Sequence, residues 1–497
     1  MGKTNSYIDY LFRSSTCHQL LMLNLIYQEP SGADIELLTE QIGIDRRSIY
    51  RYIDYLKDVC SRLKLDADII RDAKSYYIFT GDLIDYYKLR SELIAEEPIF
   101  NLAVKFVSSK MVDFTRFCQA NFIGESTFKR QISKANRLLI QLGIKIINRK
   151  GQLLLEGEER IIRYCLISFL WRVYRGTTWP FKIEEDKVYG LIDTIISPRK
   201  QASYGIKKQL SFYLAVFLSR SAAKSNIQRE LLPEYTLNLV PVVRNYDSIS
   251  EKLLSSFELP QEEIDFVLLN LFIFPECYEF FFNTSDTLEI LKSYSSKSYK
   301  SILNFQRFMK EKHPDWDMNH PKNPNFMPML ISGRIFVDLF QNLYFNSSAI
   351  SIFKHAAKAY PNLLPQIQKR LLKFEPRLSQ NKLKSLSLRY AQAYVMEFSP
   401  QDFEPEIRIL LASDMAMYLD KLVIDRVEHL LKDRFNFKLT TDSTTPKIDL
   451  VLSTGVVEEK LEDIRRIYIN PEITKKDSET IIADCYTILD EKIKNLQ

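Results

Sequence analysis

The chain has 497 residues, 46% of them apolar and 26% charged, and its 68 Lys and Arg against 63 Asp and Glu leave a net charge of +5. That balance excludes a disordered chain, and the length excludes a single hydrophobic core, because cores stop growing at roughly 250 to 300 residues. The longest apolar stretch, Phe266 to Phe282, is broken by Asn270, Pro275, Glu276 and Glu279 and falls short of the ~18 uninterrupted apolar residues of a membrane span.

The first informative pattern begins at Asp34. Residues 34–42 (DIELLTEQI) have the period of a short amphipathic helix, Gly43-Ile44 supply a tight turn, and Asp45 is placed to cap a second helix by accepting from its free backbone N–H groups. In RRSIYRYIDYLKDVC, Ile49, Ile53, Leu56 and Cys60 share one face, which leaves Arg46, Arg47, Tyr50 and Arg51 at the exposed N-terminal end. In a helix-turn-helix the N-terminal residues of the second helix meet base edges in the major groove, and arginine binds guanine or phosphate through two parallel hydrogen bonds. ADIIRD and SYYIFT, on either side of Ala73-Lys74, read as a wing hairpin. Residues 1–90 are therefore expected to form a winged helix-turn-helix domain.

A second, stronger pattern runs from Asp113 to about Glu156. DFTRFCQAN gives a first helix, Phe122-Ile123-Gly124 the turn, and Ser126 is the expected cap for TFKRQISKANRLLIQL. Phe128, Ile132, Ala135 and Leu139 recur on its inner face. Thr127, Arg130, Gln131, Lys134 and Arg137 share the opposite face, with Lys129 at its margin. IKIIN, RKG and QLLLE then give two strands around a turn that presents Arg149 and Lys150. Between Ser126 and Leu155 stand Lys129, Arg130, Lys134, Arg137, Lys145, Arg149 and Lys150 with no Asp or Glu, a local basic field of the kind that meets phosphate. Overall charge would not suggest nucleic acid; this distribution does. The second module is assigned to 91–160, with double-stranded DNA as the partner of both.

From Leu142 to Tyr174 the order is wing, Gly-Glu-Glu, then Ile-Arg-Tyr opening a long aromatic-rich helix. This stretch resembles the Mga/AtxA family of virulence regulators of Gram-positive bacteria. The resemblance implies tandem DNA-binding modules, two helical phosphotransferase-regulation domains (PRDs) and a C-terminal domain like the enzyme IIB of sugar phosphotransferase systems. It also implies control by histidine phosphorylation from a phosphocarrier protein. Residues 160–290 hold no histidine; His320, in the loop NHPKNP, and His355, in the helix ISIFKHAAKAY, remain as candidates.

Independently of that template, the pattern from Ile161 to Val395 is helical throughout, with apolar runs such as QLSFYLAVFLSR. Two bundles, 161–292 and 293–399, are expected, with SYSSKSYKS as the junction. Pro400 and Pro405 mark a linker. Beyond it, IRILLAS, FNFKLTT, KIDLVLST and RRIYINP read as strands, while MAMYLDKLVIDRVEHLLKDRF and the tail from Thr474 read as helices, so 400–497 should be a small parallel-sheet domain. Enzyme IIB domains of the cysteine class carry a nucleophilic Cys after the first strand, but here the loop is Ala412-Ser413-Asp414-Met415-Ala416.

The expected fold is thus multidomain and mainly α, with tandem winged helix-turn-helix modules, two PRD-like bundles and an enzyme IIB-like α/β domain. Six scattered cysteines, five histidines and 13 glycines offer no zinc spacing, P-loop, dinucleotide fingerprint or nucleophile elbow. No enzyme activity, metal or cofactor is expected. The N-terminus lacks a secretory signal, which points to the cytoplasm. The reading is a transcription regulator, an activator of virulence or carbohydrate-linked genes, assembling as a homodimer or larger homo-oligomer. Its competitors are an RNA-binding antiterminator of the PRD type and a phosphotransferase component.

Overall fold

The computed structural model describes residues 11–29, 31–72, 74, 76–196, 202–317, 324–341, 343, 361–455 and 464–496. His320 and His355 lie outside the described residues. The chain divides into two compact units, Met1–Ser295 with Ile335–Ile350, and Ser296–Arg334 with Ser351–Gln497.

The first unit opens with α1 (Ser14–Gln28), α2 (Ile35–Ile42), α3 (Arg46–Arg62) and the antiparallel pair β1 (Ile69–Arg71) and β2 (Tyr77–Phe79). Ile49, Ile53, Leu56 and Val59 of α3 are buried at three-to-four spacing, and α1 packs across α2, α3 and β2. After α4 (Leu83–Ala95) the same order returns: α5 (Pro98–Ser108), β3 (Val112–Asp113), α6 (Phe114–Ala120), α7 (Glu125–Leu139), β4 (Lys145–Arg149) and β5 (Gln152–Glu156). The sheet order is β3-β5-β4, antiparallel. In the first module the strand equivalent to β3 is reduced to a single bridge between Ala33 and Tyr77.

The repeat extends to individual residues. Asp34 accepts from the Leu37 N–H and Asp113 from the Arg116 N–H, so an aspartate directly before the second helix of each module caps it. Counted from that aspartate, Ile49, Ile53 and Leu56 fall on the places of Phe128, Ile132 and Ala135. Lys150 and Gly151, with φ of +50° and +82°, join β4 to β5 as the two-residue turn whose twist matches a hairpin.

The helical remainder of this unit includes α8 (Glu159–Tyr174), α9 (Glu185–Ile195), α10 (Tyr204–Ala222), α11 (Tyr246–Phe257) and α12 (Gln261–Leu271). Leu210 to Leu218 of α10 are buried without interruption. A helix apolar on all sides must lie inside a bundle, and α10 touches α5, α8, α9 and α12. Among the described residues no strand occurs between Ile161 and Val395.

In the second unit, helices Ser296–Lys312, Leu363–Phe374 and Gln380–Glu397 precede β6 (Ile407–Ala412), β7 (Phe437–Thr440), β8 (Leu450–Ser453) and β9 (Arg466–Tyr468). The division between units falls inside the helix Phe326–Phe340. The strands pair in parallel in the order β7-β6-β8-β9. Ile407, Ile409, Leu411, Leu450 and Leu452 share a core with Val423 and Val427 of the helix Met417–Leu431 and with Ile481 and Cys485 of Lys475–Leu496. Apolar runs in the two central strands follow from a sheet flanked by helices.

Candidate nucleic-acid interface

At the start of α3, Asp45 accepts from the Ser48 N–H at 3.0 Å and from its hydroxyl at 2.8 Å. These bonds hold its carboxyl below the usual aspartate range and satisfy donors that a helix end leaves open. Arg46, Arg47, Tyr50 and Arg51 are all exposed along the first turns behind this cap. Arg46 is ion-paired with Glu36 of α2 at 2.6 Å, and the Arg51 guanidinium lies 5.3 Å from the Tyr52 ring centre.

In the second module Phe128 anchors α7, its ring stacked at 5.1 Å on Phe117 and at 6.2 Å on Phe114. Asn136 clamps the helix to the wing, donating to the Ile146 carbonyl and accepting from the Ile146 N–H, both at 2.8 Å. Sequence reasoning missed this residue because its partner lies on another element. Thr127, Lys129, Arg130 and Arg137 are exposed, as are Arg149 and Lys150 on the wing. Arg149 pairs with Glu156 at 2.7 Å. Lys129 lies 4.0 Å from Glu125, which also accepts from the Thr115 hydroxyl at 3.0 Å.

Three expectations need correction. The cap of α7 is Gly124, in extended backbone, and Ser126 lies inside the helix. Gln131 and Lys134 are half-buried rather than on the open face. The Lys134 ammonium sits 3.4 Å from the Phe12 carbonyl, so the segment before α1 narrows the exposed arc of α7, and the Gln131 side-chain oxygen is itself buried.

The two modules meet where α4 turns into α5. Glu97, fully buried, accepts from Arg13 Nε at 2.9 Å and from the Thr16 hydroxyl. Arg13 also donates to the Glu96 carbonyl at 3.0 Å. The Glu96 carboxylate takes Arg62 at 2.9 Å and the Tyr55 hydroxyl, both from α3. Burial first, and that hydrogen bond second, push the Tyr55 phenol up to about 12. A residue pair at the head of the second module's first helix thereby holds α1 and α3 of the first.

Burial pushes the Cys60 thiol up to about 11 and Cys485 to about 12, which leaves both protonated near neutral pH. In the loop after β6, Asp414 is exposed and accepts from the Thr454 hydroxyl at 2.9 Å. Among the described residues no cluster of His, Cys, Asp and Glu could hold a metal ion, and no helix is long and apolar enough to cross a membrane.

Residues 84–170 match the Mga helix-turn-helix domain, a span that runs from α4 through the wing into α8. The chain is also 22% identical over 309 residues to the capsule synthesis positive regulator AcpB of Bacillus anthracis. That alignment takes in 59% of this chain and 61% of the relative, so the chain spans about three fifths of the protein it matches. The resemblance carried by Leu142 to Tyr174 is thus shown, with its firmest ground in the second winged module.

Proposed function

We propose, for a chain that carries an Mga-type helix-turn-helix domain, that the protein is a transcription regulator gripping duplex DNA through two tandem winged modules. The observation that carries this reading is the repeat itself. Two modules of one design each expose basic residues at the recognition helix, Arg46, Arg47 and Arg51 in one and Lys129 and Arg130 in the other. The second adds Arg149 and Lys150 at its wing. Two such surfaces multiply phosphate contacts, and affinity should then fall steeply with salt.

The fuller reading is an activator of virulence or carbohydrate-linked genes, non-enzymatic and cytoplasmic, working as a homodimer or larger homo-oligomer. The role named for that relative, positive regulation of capsule synthesis, favours activation. In this reading 161–292 and 293–399 are the PRD-like bundles and 400–497 the enzyme IIB-like domain, with a phosphocarrier protein as the source of input at His320 or His355. The parallel order β7-β6-β8-β9 supports the last assignment as a fold. Asp414, where an incoming phosphoryl group would be repelled, favours an assembly surface over a transfer site.

The deciding experiment is a salt-dependent mobility-shift titration on the promoter region beside the protein's own gene, with unrelated duplex and hairpin RNA as competitors. Binding that weakens steeply with salt and survives RNA competition supports the regulator. Displacement by hairpin RNA would favour the antiterminator reading, and no binding to duplex would sink the proposal.

A further inference from the structure

Phe122 stands in the turn between α6 and α7 and is 97% exposed, more than any other large apolar side chain among the described residues. Its backbone is left-handed, with φ of +49°. The Phe122 N–H bonds to the Gln119 carbonyl at 3.2 Å and the Ile123 N–H to the Cys118 carbonyl at 3.1 Å, the closure that ends a helix and normally takes glycine at its left-handed position. The first module obeys that preference: the corresponding residue, counted from the capping aspartate, is Gly43, with φ of +75° and open space around it. A phenylalanine here strains the backbone and buries nothing in return. Folding does not account for it.

We infer that Phe122 is an apolar DNA contact, its ring meeting a thymine methyl group at the edge of the major groove. This rests on the DNA-binding reading above. Only Ile123 and Gly124 separate Phe122 from the first turn of α7, the part of a recognition helix that reaches base edges. Exposed Ser126, Thr127, Lys129 and Arg130 follow at once, so the ring stands beside groups suited to phosphate and base. Glu125, the carboxylate at this end, is engaged by Thr115 and faces Lys129. The thymine methyl is the apolar feature of the major-groove edge and pairs with residues such as Phe. A ring left 97% exposed can place its whole face there and regain the burial that folding withholds.

The test compares the full chain with Phe122→Gly and Phe122→Asn, two replacements that tolerate a left-handed backbone. The probes are the promoter duplex beside the protein's own gene and the same duplex made with deoxyuridine for thymidine, which removes only the methyl groups. The parent should bind the uracil duplex about three- to tenfold more weakly, a change in keeping with loss of one good base-edge contact. Both variants should bind the thymine duplex about as weakly, fail to distinguish the two probes, and melt no lower than the parent. Variants that bind the thymine duplex like the parent would overturn the inference. If they also lost promoter output in a reporter strain, the ring would belong to a protein contact. Failure of the parent to bind any duplex would overturn the DNA-binding reading itself, whereas a salt-sensitive parent with unaffected variants would remove only the role of Phe122.

Discussion

Arg220 and Glu159 form a two-point ion pair in which Nε and Nη2 donate to the two carboxylate oxygens at 2.7 and 2.6 Å. The third donor, Nη1, reaches the Phe106 carbonyl at 2.6 Å, in the last turn of α5, where helical carbonyls lack partners. Glu159 also accepts from Arg163 Nε at 3.0 Å, and Arg163, with no exposure, is held by Glu263 at 2.5 and 3.0 Å. The quartet ties α5 of the second winged module to α8, α10 and α12. Two arginines and two glutamates balance, and burial of such charges is tolerated only while every partner is present.

Removing one member should therefore cost more than removing a pair. Glu263→Ala leaves Arg163 short of its counter-charge and is expected to destabilise the first unit by about 3–5 kcal/mol. Arg163→Met with Glu263→Met leaves the balanced Glu159–Arg220 pair and should cost clearly less. Urea unfolding of the full chain and both variants decides it; a double variant as damaged as, or more damaged than, the single one would show that the four groups do not act as a balanced set.

Gly157, just after β5, has φ of +149°, and a Cβ there would lie 2.7 Å from the Gly143 carbonyl oxygen and 3.3 Å from Ile144 Cα. Both neighbours are backbone and cannot swing aside. Gly151, at the wing tip with φ of +82°, has nothing near it. Gly157→Ala combines a forbidden backbone with a collision and should cost about 1–3 kcal/mol, whereas Gly151→Ala meets only the left-handed penalty of about 1 kcal/mol. Thermal melts of the two variants should rank in that order.

These residues also explain which features could be read from the sequence. The amphipathic helices α3 and α7, the Asp45 cap and the hairpins are local: each depends on neighbours within a few positions. The parallel sheet was legible for a related reason, since buried strands read as short apolar runs between helices. The Gly-Glu-Glu and Ile-Arg-Tyr signature was visible only as a shape. Its physical content is the close approach at Gly157 and a buried pair joining Arg163 to Glu263, separated by 100 positions. Helical periodicity puts Lys134 and Gln131 on the open face because it cannot show that the segment before α1 passes beside α7. The two-residue strand β3 is too short to leave a pattern.

His313 provides a pH prediction within the second unit. Its Nε2 lies 2.9 Å from the Tyr394 hydroxyl and 3.7 Å from Asp402, and its ring stacks on Phe398 at 3.5 Å. Burial pushes the imidazole below its ordinary value of 6.5; Asp402 opposes this and Lys312 adds to it. In the window between 6.5 and that lowered folded value the unfolded chain binds more protons, so stability falls as pH drops through it and is unaffected above it. His313→Gln should lose this component, giving a flatter stability profile as pH falls below the ordinary imidazole value of 6.5. Parallel profiles for parent and variant would mean that the imidazole titrates alike in both states.

Arg46 with Glu36, and Arg149 with Glu156, are pairs whose four side chains are all at least half exposed. Exposed pairs contribute only about 0–1 kcal/mol, so a phosphate can displace either glutamate at little cost, but each glutamate still repels the duplex. Glu36→Gln and Glu156→Gln should each tighten duplex binding about two- to fivefold at low ionic strength, with the gain fading as salt screens it. Arg130→Ala and Lys150→Ala should do the reverse, weakening binding to all sequences and flattening the slope of log affinity against log salt by about one each. Glutamine variants that bind no tighter than the parent would place Arg46 and Arg149 away from the DNA. An unchanged slope for Arg130→Ala would take the α7 face out of contact with phosphate, and the first module would then have to supply the grip.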